Sequence, residues 1–158
     1  RRAHTRARPV AWARRCVNET GPGSPGASSP ADVARLLHDG VAERFGVDAA
    51  VAVLTTERLR KIVRGNPLPD DAADRPAGLL VHVGEEPDDP DAAAALGPCL
   101  TTERAVVAKG VLYVAYPDGV GRSRLTAAVL AKAAGTPVTG RNWRTTTRLL
   151  ALAEDTPP

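Results

Sequence analysis

Between Ala31 and Phe45 the apolar residues Val33, Leu36, Leu37, Val41 and Phe45 recur at mostly three- and four-residue intervals, the period of a helix that buries one stripe. Ser29 stands before this run as a capping oxygen, with Pro30 at the first helical position and Asp32 three residues after the serine. Gly46 supplies a stop, so the pattern predicts a helix over 31–45. Ala49–Leu54, `AAVAVL`, is a short apolar run that predicts a covered strand. Thr55 or Thr56 then caps a second helix carrying Leu59, Ile62 and Val63 on one side, closed by Gly65 and Pro67. The stretch `PLPDDAADRPAG` that follows is acidic and proline-rich, and predicts an exposed connection.

A second set of elements opens with `GLLVHV`, Gly78–Val83, a buried-strand pattern. Asp91 is placed to start a short helix ending near Gly97. `RAVVAKGVLYVAYP` reads as two strands meeting in a tight turn at Lys109–Gly110. A helix is expected from about Gly121 to Ala134, stopped by Gly135 and Pro137, and a last one from Trp143 to Ala153, capped by Asn142. The order is helix–strand–helix, then strand–helix–strand–strand–helix–helix. An α/β (α+β) fold with a small antiparallel sheet follows from it. The first half is short of strands, for Ala49–Leu54 has no evident neighbour.

Composition changes this picture in three places. The 158 residues hold five aromatics and no methionine, so Val, Leu and Ala must fill the interior. Charge is uneven: residues 1–15 carry six arginines and no acid, while the remainder has fifteen basic and eighteen acidic side chains. Residues 1–30, which include `ETGPGSPGASSP`, read as a disordered tail. Its basicity suits nucleic acid or an anionic surface, or a tail without a partner. Two cysteines, Cys16 and Cys99, are too few for a disulfide scaffold. A reduced cytoplasmic setting is therefore expected, and no apolar run is long enough to make the membrane a partner.

The chemistry concentrates in two segments. In `YPDGVGRSRL`, Gly119 and Gly121 permit tight or left-handed backbone, and Arg122, Ser123 and Arg124 add donors. With exposed amides at a helix start, the loop suits an anion; the same residues also suit a plain turn that begins a helix. The segment lacks the spacing and the lysine of a P-loop and is no dinucleotide fingerprint. In `GRNWRTTTRLL`, Arg141, Arg144 and Arg148 fall within about 60° on a helical wheel. Beside Trp143 they can hold a phosphorylated small molecule or single-stranded nucleic acid. The plainer reading makes Trp143 a core plug and Asn142 a cap. His4, His38 and His82 do not gather, Cys99 has no nucleophile motif, and Glu85, Glu86, Asp88, Asp89 and Asp91 read as a solvated loop. No metal and no cofactor is expected.

From about Ala31 onward the chain resembles the bacterial DUF1697 family, whose role is uncharacterised. The resemblance rests on Asn66–Pro67–Leu68, on `YVAYPDGVGRSRLTAAVL` and on `GTPVTGRNWRTTTRLLALA`. Arg124 stands where the family has lysine, and Leu68 where it has an aromatic. The resemblance implies two ferredoxin-like α/β plaits, the C-terminal unit nearly complete over residues 78–153 and the N-terminal unit truncated to residues 31–77. The family's opening strand, its `RGINVGG`-like loop and a `QSGNVVF`-like segment have no counterpart. Residues 1–30 stand in their place, so an altered start or a shortened product is expected. Three functions stay open: binding of a phosphate-bearing ligand, a small enzyme acting on an anionic substrate, and a structural or interaction protein.

Overall fold

The computed structural model describes residues 29–49, 51–84 and 89–155. The N-terminal tail, Cys16, His4 and Glu85–Asp88 lie outside the described residues.

Helix α1 spans Pro30–Phe45. Its start follows from capping: the Ser29 hydroxyl accepts the Asp32 amide at 3.2 Å, and Pro30 occupies the first turn, where its missing amide would have no partner anyway. Gly46 ends it in the left-handed region at φ 64°. Helix α2, Thr56–Arg64, is capped by Thr55, whose hydroxyl accepts the Arg58 amide at 3.1 Å. The predicted strand at Ala49–Leu54 does not form: residues 51–54 are irregular, because every ladder in the sheet is made within the second half of the chain. An extended run without a partner leaves its amides to water. The predicted connection after Pro67 instead contains a helical turn and a half, α3, Pro69–Asp74. Pro69 at its first position and Asp70 and Asp71 in its first turn suit a helix N-terminus.

The remaining elements are β1 (Leu79–Gly84), α4 (Ala92–Leu96), β2 (Arg104–Val107), β3 (Leu112–Ala115), α5 (Ala127–Ala134), β4 (Val138–Asn142) and α6 (Trp143–Asp155). The hairpin turn is as expected. Lys109 and Gly110 sit at φ 56° and 67°, both left-handed, which matches the twist of the flanking strands. Two elements depart from the sequence reading. Helix α5 begins at Ala127, not Gly121, because Ser123 is extended and Thr126 is the residue whose side chain caps the helix. And β4 is a strand the pattern did not announce.

The sheet runs β2–β3–β1–β4 with every pair antiparallel. Alternation along each strand divides the core in two. Leu79, Val81, Tyr113 and Ala115 face Ile62 of α2, with Ala72 of α3 and Trp143 of α6 packed alongside. Leu112, Val114 and Tyr116 face Leu96 of α4 and Leu130 of α5. Both faces of the sheet are therefore covered, and β3 is buried along its whole length. An Arg60–Glu154 ion pair at 2.8 Å ties α2 to α6. Helix α1 is less engaged: only Ala34 is buried, while Leu36 and Phe45 stay exposed.

Candidate functional site: a loop pocket and an apolar cavity

The register of the β2–β3 hairpin builds the first site. Arg104 pairs with Ala115, so the next residues outward, Glu103 and Tyr116, end the hairpin side by side. The chain beyond Tyr116 then folds back as a turn through Gly119, at φ 86°. Only glycine adopts that angle without strain. Gly121, by contrast, has no such requirement and stands in open space. Together Thr101, Thr102, Glu103, Tyr116, Gly119, Arg122 and Ser123 enclose a pocket of about 190 Å³, with Asp118 on its wall.

Its floor is electrostatically defined. The Glu103 carboxylate is buried and accepts the amide and the hydroxyl of Thr101, each at 2.8 Å, and the amide of Thr102 at 3.2 Å. A hydrogen bond from the Ser123 hydroxyl, then those from backbone amides, hold its pKa down to about 2. Across the pocket, burial and the Glu103 charge push Tyr116 up to about 12. The Tyr116 hydroxyl is buried and has no hydrogen-bonding partner among the described residues. Thr102 donates to Asp118 at 2.6 Å.

The loop's backbone is largely satisfied from within. The amides of Gly119, Arg122 and Ser123 donate to Tyr116, Gly119 and Val120 carbonyls. Leu125 donates to the Ser123 hydroxyl and Thr126 to the Arg124 carbonyl. The expected helix start, with its free amides, is therefore not at the loop. Its available donors are side chains: Arg122 in the pocket lining and Arg124, both exposed.

The second arginine segment lies elsewhere. Arg141 belongs to β4, which breaks the helical stripe expected for it with Arg144 and Arg148. Asn142 acts as a cap, its side-chain oxygen accepting the Thr145 amide at 2.8 Å. Trp143 is half-buried against the Ile62 core, while Arg144 and Arg148 are exposed. The structure thus brings Gly119, Arg122 and Ser123 to one pocket. Gly121, Arg124, Arg141, Asn142, Trp143, Arg144 and Arg148 take no part in its lining. What the sequence reading missed is the partner set Thr101, Thr102, Glu103 and Tyr116. Counting strand pairs back from the Lys109–Gly110 turn places Glu103 opposite Tyr116, a signal that was present.

A larger cavity of about 450 Å³ opens on the other side of the sheet, between α2, α6, β1 and β4. Its walls are mostly aliphatic, from Val51, Leu54, Leu59, Ile62, Val81 and Val83, and Arg141 is the only charged residue among the described residues that line it. His82 enters neither site; it is buried in β1, and desolvation lowers its pKa to about 4. Cys99 is half-buried. Among the described residues no three His, Cys, Asp or Glu side chains gather as a metal site, and no helix is long and apolar enough to cross a membrane.

The family described as "Protein of unknown function (DUF1697)" matches residues 24–113. That range includes Asn66–Leu68 and Glu103 and ends at Tyr113, so the glycine loop and β4–α6 lie beyond it. No curated protein and no solved structure matches.

Proposed function

The chain belongs to the DUF1697 family, and from that premise we propose that it is a binding module for a small phosphate-bearing ligand that also carries hydroxyl groups. The ligand's hydroxyls meet Glu103 and Tyr116 at the floor of the loop pocket, and its phosphate meets Arg122 in the pocket lining. The observation that carries this reading is the Tyr116 hydroxyl, buried and unpartnered beside an ionised carboxylate. A buried polar group without a partner is uncommon and costly. A carboxylate is a good acceptor for sugar hydroxyls, and guanidinium groups suit phosphate. Binding is favoured over catalysis because the pocket's two strongest candidates titrate near 2 and 12. Neither is poised to exchange a proton near neutrality.

The fold that presents the pocket we read as a ferredoxin-like plait over residues 78–153. The reading is supported by the β–α–β–β–α–β order and the β2–β3–β1–β4 arrangement.

A second reading is favoured by one observation: the amides of Gly119, Arg122 and Ser123 donate to carbonyls within the loop, as a purely structural turn requires. The two are separated by titrating the full chain, followed by amide NMR, with ribose 5-phosphate, ribose and inorganic phosphate. Saturable shifts at Thr101–Glu103 and Gly119–Arg124 with ribose 5-phosphate, weakened by Arg122→Gln, are the expected result. Resonances that stay still with all three probes would leave the structural reading standing. A short single-stranded RNA in the same titration tests the polymer as ligand; shifts spread over Arg141–Arg148 instead of the loop would move the site there.

A further inference from the structure

Thr139 and Arg141 flank Gly140 on β4, and Gly140 lies against His82. Strand alternation therefore puts both side chains on the opposite face of the sheet, where they line the 450 Å³ cavity. That cavity has the size of a small-molecule site and shares no residue with the loop pocket. Its lining has a specific chemistry. Among the described residues that line it there is no aromatic ring on which a base could stack, and no carboxylate that would attract a cation. The wall is built from branched aliphatic side chains. The one charge, Arg141, has no acidic partner among the described residues and donates only to the neighbouring Gly140 carbonyl at 2.9 Å. Arg60, Arg35 and Arg104 each have a carboxylate partner.

We propose that this cavity binds a medium-chain aliphatic carboxylate, the alkyl chain lying on Leu59, Ile62, Val81 and Val83 and the carboxylate pairing with Arg141. The argument is one of complementarity. An exposed guanidinium with no carboxylate partner among the described residues, at the rim of an aliphatic wall, can bind a planar anion bidentately. The chain behind that anion removes apolar wall from water. A flexible alkyl chain fits the branched aliphatic part of the wall, built from Leu59, Ile62, Val81 and Val83. Thr146 contributes at the α6 side with its hydroxyl already donating to the Asn142 carbonyl at 3.0 Å, so it makes no demand on the ligand.

The test is amide NMR of the full chain with decanoate, kept below its micelle concentration, against 1-decanol and acetate. Decanoate is expected to give saturable shifts at Val81, Val83, Thr139, Arg141 and Thr146. Decanol should bind at least ~10-fold more weakly, and acetate should produce no saturation, because neither half of the ligand suffices. Arg141 is exposed, so Arg141→Gln leaves the fold intact; it should weaken decanoate at least ~10-fold and leave decanol unchanged. Decanol binding as well as decanoate, or decanoate shifts confined to other surfaces, would overturn the proposal. So would resonances at these residues that move with protein concentration and not with decanoate, which would assign the cavity to a second copy of the chain.

Discussion

His82 packs directly against Gly140: a Cβ on Gly140 would stand 2.8 Å from His82 Cε1 and 2.9 Å from Nδ1. The two residues pair across the β1–β4 ladder, and the glycine is what lets an imidazole ring occupy the inner face there. His82 is only 4% exposed, so the ring has little room to retreat. Gly140→Ala is accordingly expected to cost about 1–3 kcal/mol through overpacking. Gly121→Ala, in open space at an ordinary φ, should be neutral or slightly stabilising. Denaturant midpoints of the two variants check the pair, and equal midpoints would remove the steric argument.

The same burial makes stability depend on acid. His82 titrates near 4 in the folded chain against 6.5 when free of the fold, so the unfolded chain holds the extra proton between those values. Stability is then fully present above about 6.5 and falls as the pH drops towards 4, by on the order of 3 kcal/mol at the lower end. His82→Leu, apolar and of similar size, should flatten the stability profile across that interval. A wild-type profile already flat between pH 6.5 and 4 would contradict the burial of a neutral ring.

How much of this could be read from the chain follows from which contacts are local. Helix α1, the caps at Ser29, Thr55 and Asn142, and the Lys109–Gly110 turn are set by neighbouring residues, and the sequence pattern announces them. Strand β4 is different: Thr139, Gly140, Arg141 and Asn142 have no apolar alternation. They are a strand because β1 offers an edge and because His82 needs a glycine opposite. Ala49–Leu54 shows the converse, an apolar run with no edge to join. In the site, Gly119, Arg122 and Ser123 were legible as a loop with donors. Glu103 was legible only as the residue opposite Tyr116 in the hairpin register; its Ser123 partner was not, because that contact forms only through the fold of the loop beyond Tyr116. The supposed arginine stripe failed for a related reason: Arg141 lies in β4, outside the helix that begins at Trp143.

Glu103 supplies a second acid-sensitive device, in a lower window than His82. Its folded pKa of about 2 lies below the ordinary 4.5, so its contribution is present above about 4.5 and is lost as the pH falls from there towards 2. Glu103→Gln keeps the shape but removes the charge that Thr101, Thr102 and Ser123 donate to. A loss of about 1–3 kcal/mol at neutral pH is expected, together with a shallower stability profile below pH 4.5. Thermal unfolding of both proteins from pH 7 to 2 measures each part, and identical acid limbs would show that the carboxylate is not held as described.

Two buried tyrosines three residues apart offer the sharpest contrast. The Tyr113 hydroxyl donates to the Ile62 carbonyl at 2.8 Å, joining β3 to the end of α2, whereas the Tyr116 hydroxyl has no partner among the described residues. Removing the first hydroxyl takes away a made hydrogen bond and leaves a buried carbonyl short of one donor. Removing the second takes away only an unpaired group, whose burial opposes folding. Tyr113→Phe should therefore destabilise by about 1–2 kcal/mol, and Tyr116→Phe should be neutral or stabilising by up to ~1 kcal/mol. Urea denaturation of the unliganded chain decides between them. A Tyr116→Phe loss equal to that of Tyr113→Phe would mean that the Tyr116 hydroxyl is satisfied in solution, and the loop pocket would lose the group that marks it as a binding site.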